Sequence, residues 1–143
     1  MKNIIILALV FSSSLKVLAQ VDSGVQVVEP AATLGSAMKL MSAGLRKITA
    51  QVTDPSKNLQ SEELALEFIK NTELSKTFVP KSIKQLPLDQ QEAQQQRYIK
   101  MLDDSIQLGR DLAAAFHNND NKLANEILAK LSTSKKEGHA EFK

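Results

Sequence analysis

LGSAMKLMSAGLRKITAQV, residues 34–52, places Leu34, Met38, Met41, Leu45, Ile48 and Val52 at successive steps of 4, 3, 4, 3 and 4. An α-helix turns once in about 3.6 residues, so this spacing puts all six on one face. A half-buried strand would need strict alternation, which the stretch lacks. An apolar stripe of this kind needs a partner surface, so the chain must contain further helices to cover it. Pro30, just upstream, suits the first turn of this helix. Pro55 in TDPSKN (residues 53–58) ends it by disfavouring helical geometry at Asp54.

Three further helical segments follow. Ser61 is placed to cap the second, with Glu62 and Glu63 favourable in its first turn; its core candidates are Ala65, Phe68, Ile69, Thr72 and Phe78. VPKSIKQLPLDQQ (residues 79–91), with two prolines, reads as a loop. The third helix runs from about Gln90 to His117 and buries Ile99, Leu102, Ile106, Leu112 or Ala113, and Phe116. HNNDN (residues 117–121) breaks it. Asp120 or Asn121 caps a fourth helix that shows Leu123, Ile127, Leu128 and Leu131, with Lys135, His139 and Phe142 continuing the stripe. No β-rich segment or internal repeat competes. The expected fold is all-α, an antiparallel up-down-up-down four-helix bundle over residues 32–143.

The N-terminus carries a different signal. Lys2 precedes eight apolar residues, Ile4 to Phe11, and Val17 and Ala19 stand at the −3 and −1 positions of a cleavage site before Gln20. That is the layout of a secretory signal peptide (residues 1–19), and its apolar run is far short of the ~20 residues that span a bilayer. Residues 20–31 read as a flexible lead-in. The mature chain is therefore expected in a bacterial periplasm, without a membrane span. Losing Lys2 and Lys16 reduces the 18 basic residues to 16, against 16 acidic ones. A neutral chain with no tryptophan and one tyrosine lacks both the charge and the stacking surface for nucleic acid. There is no cysteine, which removes disulfides and lipoprotein attachment alike.

The candidate chemistry lies at the two ends of the chain. With an even number of alternating helices, the start of the first and the end of the last share one end of the bundle. Met38 is about two turns into the first, and His139 about one turn from the end of the last. A thioether and an imidazole can serve as the axial pair of a haem iron. Taken singly, Met38 also reads as core filler and His139 as a cation at the negative end of a helix dipole. His117 reads as a solvated loop residue, and Asp103, Asp104, Arg110 and Asp111 as a wet helix face. No nucleophile–base pair, phosphate loop or metal-spaced acid cluster appears, so an enzyme is not expected.

MKLMSAGLRKI (residues 38–48) and ANEILAKLSTSKKEGHAEFK (residues 124–143), joined by four helices behind a signal peptide, resemble the soluble cytochrome b562 family. The resemblance covers about 110 residues, from Ala32 to Lys143, and needs no gap from Tyr98 onward. It implies a periplasmic carrier of single electrons on one non-covalent haem b, with Met38 and His139 as iron ligands. Met41, Leu45, Tyr98, Leu102, Leu131 and Phe142 would line the ring, and Lys135 would approach a propionate. It also implies a monomer that meets periplasmic redox proteins. The chain departs from the family pattern at Leu102 and at Gly138, both expected to be aromatic, and at Lys135, expected to be arginine. Glycine costs roughly 1 kcal/mol in a helix interior, so Gly138 predicts a looser turn beside His139. A haem-free helical bundle that binds a partner through an apolar groove is the other reading.

Overall fold

The computed structural model describes residue 31 and residues 33–142. The expected signal peptide lies outside these residues, as does the lead-in apart from Ala31. The described chain is all-helical, with no strand: α1 (Leu34–Gln51), a short 3-10 turn (Pro55–Lys57), α2 (Asn58–Ser75), α3 (Lys81–Lys84), α4 (Leu88–His117) and α5 (Asn121–Phe142). Four are long. The fifth, α3, is a single turn within the segment 79–91 that was expected to be loop, started by Pro80, whose fixed φ suits a helix entry.

Helix ends follow local chemistry. Thr33 and Ser36 form a capping box: the Thr33 hydroxyl accepts from the Ser36 N–H at 3.1 Å, and the Ser36 hydroxyl accepts from the Thr33 N–H at 3.0 Å. The helix thus starts at Leu34, later than a start near Pro30 would give. Ser61 does not cap α2. Asp54 instead organises the entry by accepting from the Ser56 N–H, and α2 begins at Asn58. Ser61 is buried inside the helix and accepts from Gln51 Nε2 at 2.8 Å. Asn119 adopts the left-handed region (φ 58°) to close α4. Asp120 then caps α5 through the Leu123 N–H at 2.9 Å.

Chain segments meet around the buried Asn58 and the half-buried Asn121. The amides of Asn58 and Asn121 bond each other in both directions, at 2.8 and 3.0 Å. Asn121 also donates to the Val52 carbonyl at 2.7 Å, and Asn58 to Asn119 Oδ1 at 2.9 Å. One network therefore joins the end of α1, the start of α2, the α4–α5 turn and the start of α5. Such part-buried amides must all be satisfied together, which makes the network specific.

α2 packs mainly on α4 and on α1, and α4 also on α5; α1 and α5 scarcely touch. The α2–α4 contact is close because Gly109 lacks a side chain: a Cβ there would sit 2.8 Å from Ile69 Cγ1 and 3.1 Å from Phe68 Cδ1. The core consists of two clusters. The larger gathers Ile48, Val52, Phe68, Leu112, Phe116, Ile127 and Leu131 with their small neighbours. The smaller joins Ile83, Tyr98, Leu102 and Phe142. Leu123, expected inside, is 42% exposed, and Ala124 is buried in its place. Of the predicted stripe only Ile48 and Val52 are buried; Leu34, Met38, Met41 and Leu45 are half-buried, and among the described residues α5 scarcely meets α1.

Two tests follow from this packing. Gly109→Ala gains about 1 kcal/mol of helix propensity but overpacks the α2–α4 contact, at a cost of about 1–3 kcal/mol. A net loss of roughly 1 kcal/mol is expected, read as a lower urea midpoint with an unchanged slope. Tyr98, 1% exposed and donating to the Ser75 carbonyl at 3.1 Å, has its phenol pushed by burial from 10.0 up to about 12. The native state keeps this proton where the unfolded state loses it, so stability falls as pH rises from about 10 to about 12. Tyrosinate absorbance of the folded protein reads this residue alone, since the chain has one tyrosine, and Tyr98→Phe should remove that part of the alkaline loss.

Candidate functional site

The half-buried end of α1 faces a cavity. It is lined by Met38, Met41, Ser42 and Leu45 of α1 and by Phe68 of α2. Tyr98, Met101, Leu102 and Ser105 come from α4, and Leu131, Ser134, Lys135, Gly138, His139 and Phe142 from α5. All nine residues singled out from the sequence are among them. The cavity holds about 80 Å³ and opens to solvent. The cavity separates the two core clusters and takes walls from both, Phe68 and Leu131 from one and Tyr98, Leu102 and Phe142 from the other.

The walls are held by contacts outside the cavity. The Tyr98 and Phe142 rings meet edge to face, with centroids 5.2 Å apart. The Ser75 hydroxyl donates to the Asn71 carbonyl at 2.8 Å and also lies 3.7 Å from Met41 Sδ, a weak acceptor that it helps to orient. The last turn of α5, which carries His139, has three tethers. Ser82 of α3 donates to the Phe142 carbonyl at 2.8 Å; Arg97 pairs with Glu141 at 2.9 Å; and Gln94 donates to the same carboxylate at 3.1 Å. The looser turn expected from Gly138 is thus countered by side chains from α3 and α4.

The inner stripe of α5 changes character toward its end. Leu131 and Phe142 are buried, whereas Lys135 and His139 are exposed at the rim, where α1 does not reach them. Two shallower recesses extend the cavity along the α1–α5 seam. One shares Ser42, Leu45 and Lys135 with it, the other Met38, Ser42 and His139; Arg46 lines both, and Lys39 lines the second. Among the described residues no acidic side chain lines the cavity or either recess. The seam is therefore a basic edge beside an apolar slot, in a chain whose acidic and basic residues nearly balance.

Several wall residues were not singled out from the sequence: Ser42, Phe68, Met101, Ser105, Ser134 and Arg46. Phe68 was assigned to the core, which it also serves. Met101 lies next to Leu102 on the helix, so a stripe drawn at steps of 3 and 4 passes over it. Arg46 neighbours Leu45 in the same way. The other polar candidates lie elsewhere. His117 is exposed with Nδ1 3.3 Å from Glu62, Asp103 pairs with Lys76 at 2.6 Å, and Asp104 pairs with Lys100 at 2.8 Å.

Chemically the site offers one imidazole and three thioethers around a slot with apolar walls and a basic rim. Among the described residues no group of three or more His, Cys, Asp or Glu is placed to hold a bare metal ion. The donor set can serve a metal that arrives with other ligands already supplied, the walls suit an apolar molecule, and the rim suits an anionic group. No helix among the described residues is long and apolar enough to cross a membrane.

Comparison with known proteins bears on the same stretch of chain. A search of curated proteins and one of solved structures returned no match. A family model, by contrast, matches residues 33–143, from the capping threonine of α1 to the C-terminus and so across every wall of the cavity. On that match, the chain belongs to the cytochrome b562 family.

Proposed function

We propose that the chain is a periplasmic electron carrier that holds one non-covalent haem b in the cavity between α1 and α5. The observation that carries this reading is the gathering of Met38 and His139, from opposite ends of the sequence, on one apolar slot with a basic rim. In this reading residues 1–19 are removed on export, and α1, α2, α4 and α5 alternate in direction as an up-down-up-down bundle. The asparagine network supports that arrangement, since it joins the end of α1 to the starts of α2 and α5.

Met38 and His139 would supply the axial ligands, a soft sulfur and a borderline nitrogen. A haem b held there stores and releases one electron, and Met/His ligation favours its reduced state relative to harder ligand pairs. With both residues on the iron, no position would remain for dioxygen. Met41, Leu45, Tyr98, Leu102, Leu131 and Phe142 would exclude water from the cofactor and so keep the local dielectric low. Lys135 from α5 and Arg46 from α1 stand at the basic edge, where each can hold a carboxylate of the cofactor; guanidinium can do so with two hydrogen bonds. With no cysteine in the chain, attachment is by these contacts alone. The role is carriage rather than catalysis, as a monomer meeting soluble redox proteins of the periplasm.

Titration of the purified mature domain with haemin tests the reading. The wild type should bind saturably and show sharp low-spin bands on reduction. Met38→Ala and His139→Ala should each lose those bands while keeping their helical circular dichroism. An absence of saturable binding by the wild type would sink the proposal and leave the cavity as a docking groove for a protein partner. The rim makes a second, smaller prediction. Arg46→Gln and Lys135→Gln should each weaken haemin binding by about two- to fivefold, the scale of exposed ion pairs. The effect should shrink at high ionic strength.

A further inference from the structure

Met101 and Gly138 face each other across the cavity wall, and neither has a role in the reading above. Met101, on α4, is half-buried and lines the cavity; Gly138, on α5, directly precedes His139. A Cβ built on Gly138 would lie 2.8 Å from Met101 Cε and 3.2 Å from Met101 Sδ. Carbon atoms do not pack at the first distance, so a side chain at position 138 and the present position of the thioether exclude each other. The thioether is the free end of a flexible side chain and would yield before the backbone did. The space beside it is the cavity that Met38, Leu102 and His139 also line. A change that the fold itself tolerates would thus be felt inside the slot.

We propose that Met101 is a positioning residue for His139, its thioether seated on the bare backbone of Gly138. The seat has two consequences. It fills the place where the glycine leaves the helix without a side chain, and so restrains from the cavity side a turn whose backbone is intrinsically freer. It also parks the thioether against the wall, clear of the volume a flat ligand needs. The tethers from Ser82, Arg97 and Gln94 act on Glu141 and Phe142, beyond the histidine; Met101 acts on the residue immediately before it. The size of residue 101 and the absence of a side chain at 138 are therefore one feature. The proposal rests on the haem reading, because its consequence is how well His139 is held toward iron.

A double-mutant cycle tests it: wild type, Met101→Ala, Gly138→Ala and the double variant. Each is measured for haemin affinity, for the low-spin reduced spectrum and for the thermal midpoint of the haem-free protein. Gly138→Ala should weaken haemin binding about tenfold and diminish the low-spin band. Its haem-free midpoint should hold or rise, because alanine is the better helix former. Met101→Ala should also weaken binding. The double variant should bind about tenfold better than the product of the two single effects, the coupling expected of side chains in contact. Met101→Leu, which keeps the volume, should stay within about twofold of wild type. Effects that simply multiply in the double variant, or a Gly138→Ala protein with wild-type affinity and spectrum, would overturn the positioning role while leaving the haem reading intact. A wild type that fails to bind haemin would overturn both.

Discussion

The apolar stripe of α1 is longer than the surface available to cover it, and the rest of the molecule is arranged around that shortage. Ile48 and Val52 find the large core cluster and are buried. Met38, Met41 and Leu45 line the cavity shared with α5, which barely meets α1, and remain half-buried. An apolar face left partly open in this way is unfavourable in water, at about 25 cal/mol for each Å² exposed, unless something fills the gap. The cavity is that gap. It divides the core into two clusters, so an occupant would touch both and make them one.

What keeps the gap open is the difference between the two ends of the bundle. At one end, the Asn58–Asn121 pair draws α1, α2 and α5 together through part-buried hydrogen bonds, and Asn58, itself buried, would be left unpaired by their loss. At the other, the last turn of α5 is bound to α3 and α4 through Ser82, Arg97, Gln94 and the Tyr98–Phe142 contact, and not to α1. Beyond its first turn, helix α5 is thus fixed mainly to partners other than α1. The slot that remains is apolar on its walls, and among the described residues its rim carries Lys39, Arg46 and Lys135 without a carboxylate. Charge of one sign at a low-dielectric mouth favours an anionic group there and disfavours a cationic one.

Much of this is legible in residues 34–52 and 121–142, because helical periodicity and end signals are local properties. The steps of 4 and 3 locate the stripe of α1, HNND marks the end of α4, and the nine residues assigned to the site do line one cavity. The failures are equally local in origin. Ser61 has the chemistry of a cap, yet Asp54 and Pro55 had already started the next helix. Segment 79–91 has two prolines, yet one of them opens the turn of α3 that holds the C-terminus. Leu123 has the right side chain for the core and the wrong angular position on α5. Met101 and Arg46 lie beside the stripes, and a pattern along one helix says nothing about a neighbour that reaches the same space from another.

Gly138 shows most directly where the division falls. By itself the sequence determined that the chain is helical, where its apolar faces lie, and that a thioether and an imidazole stand near its two ends; each follows from intrinsic propensity and from spacing along one helix. It also made Gly138 a weak point, since intrinsic propensity is all that a single helix can express. Only the tertiary structure decided that Met101 occupies the space above that glycine, that α3 and α4 restrain the turn, and that α1 and α5 stay apart. These depend on distances between residues far apart in the chain, which are set when the helices pack and the volume of each side chain must fit the others.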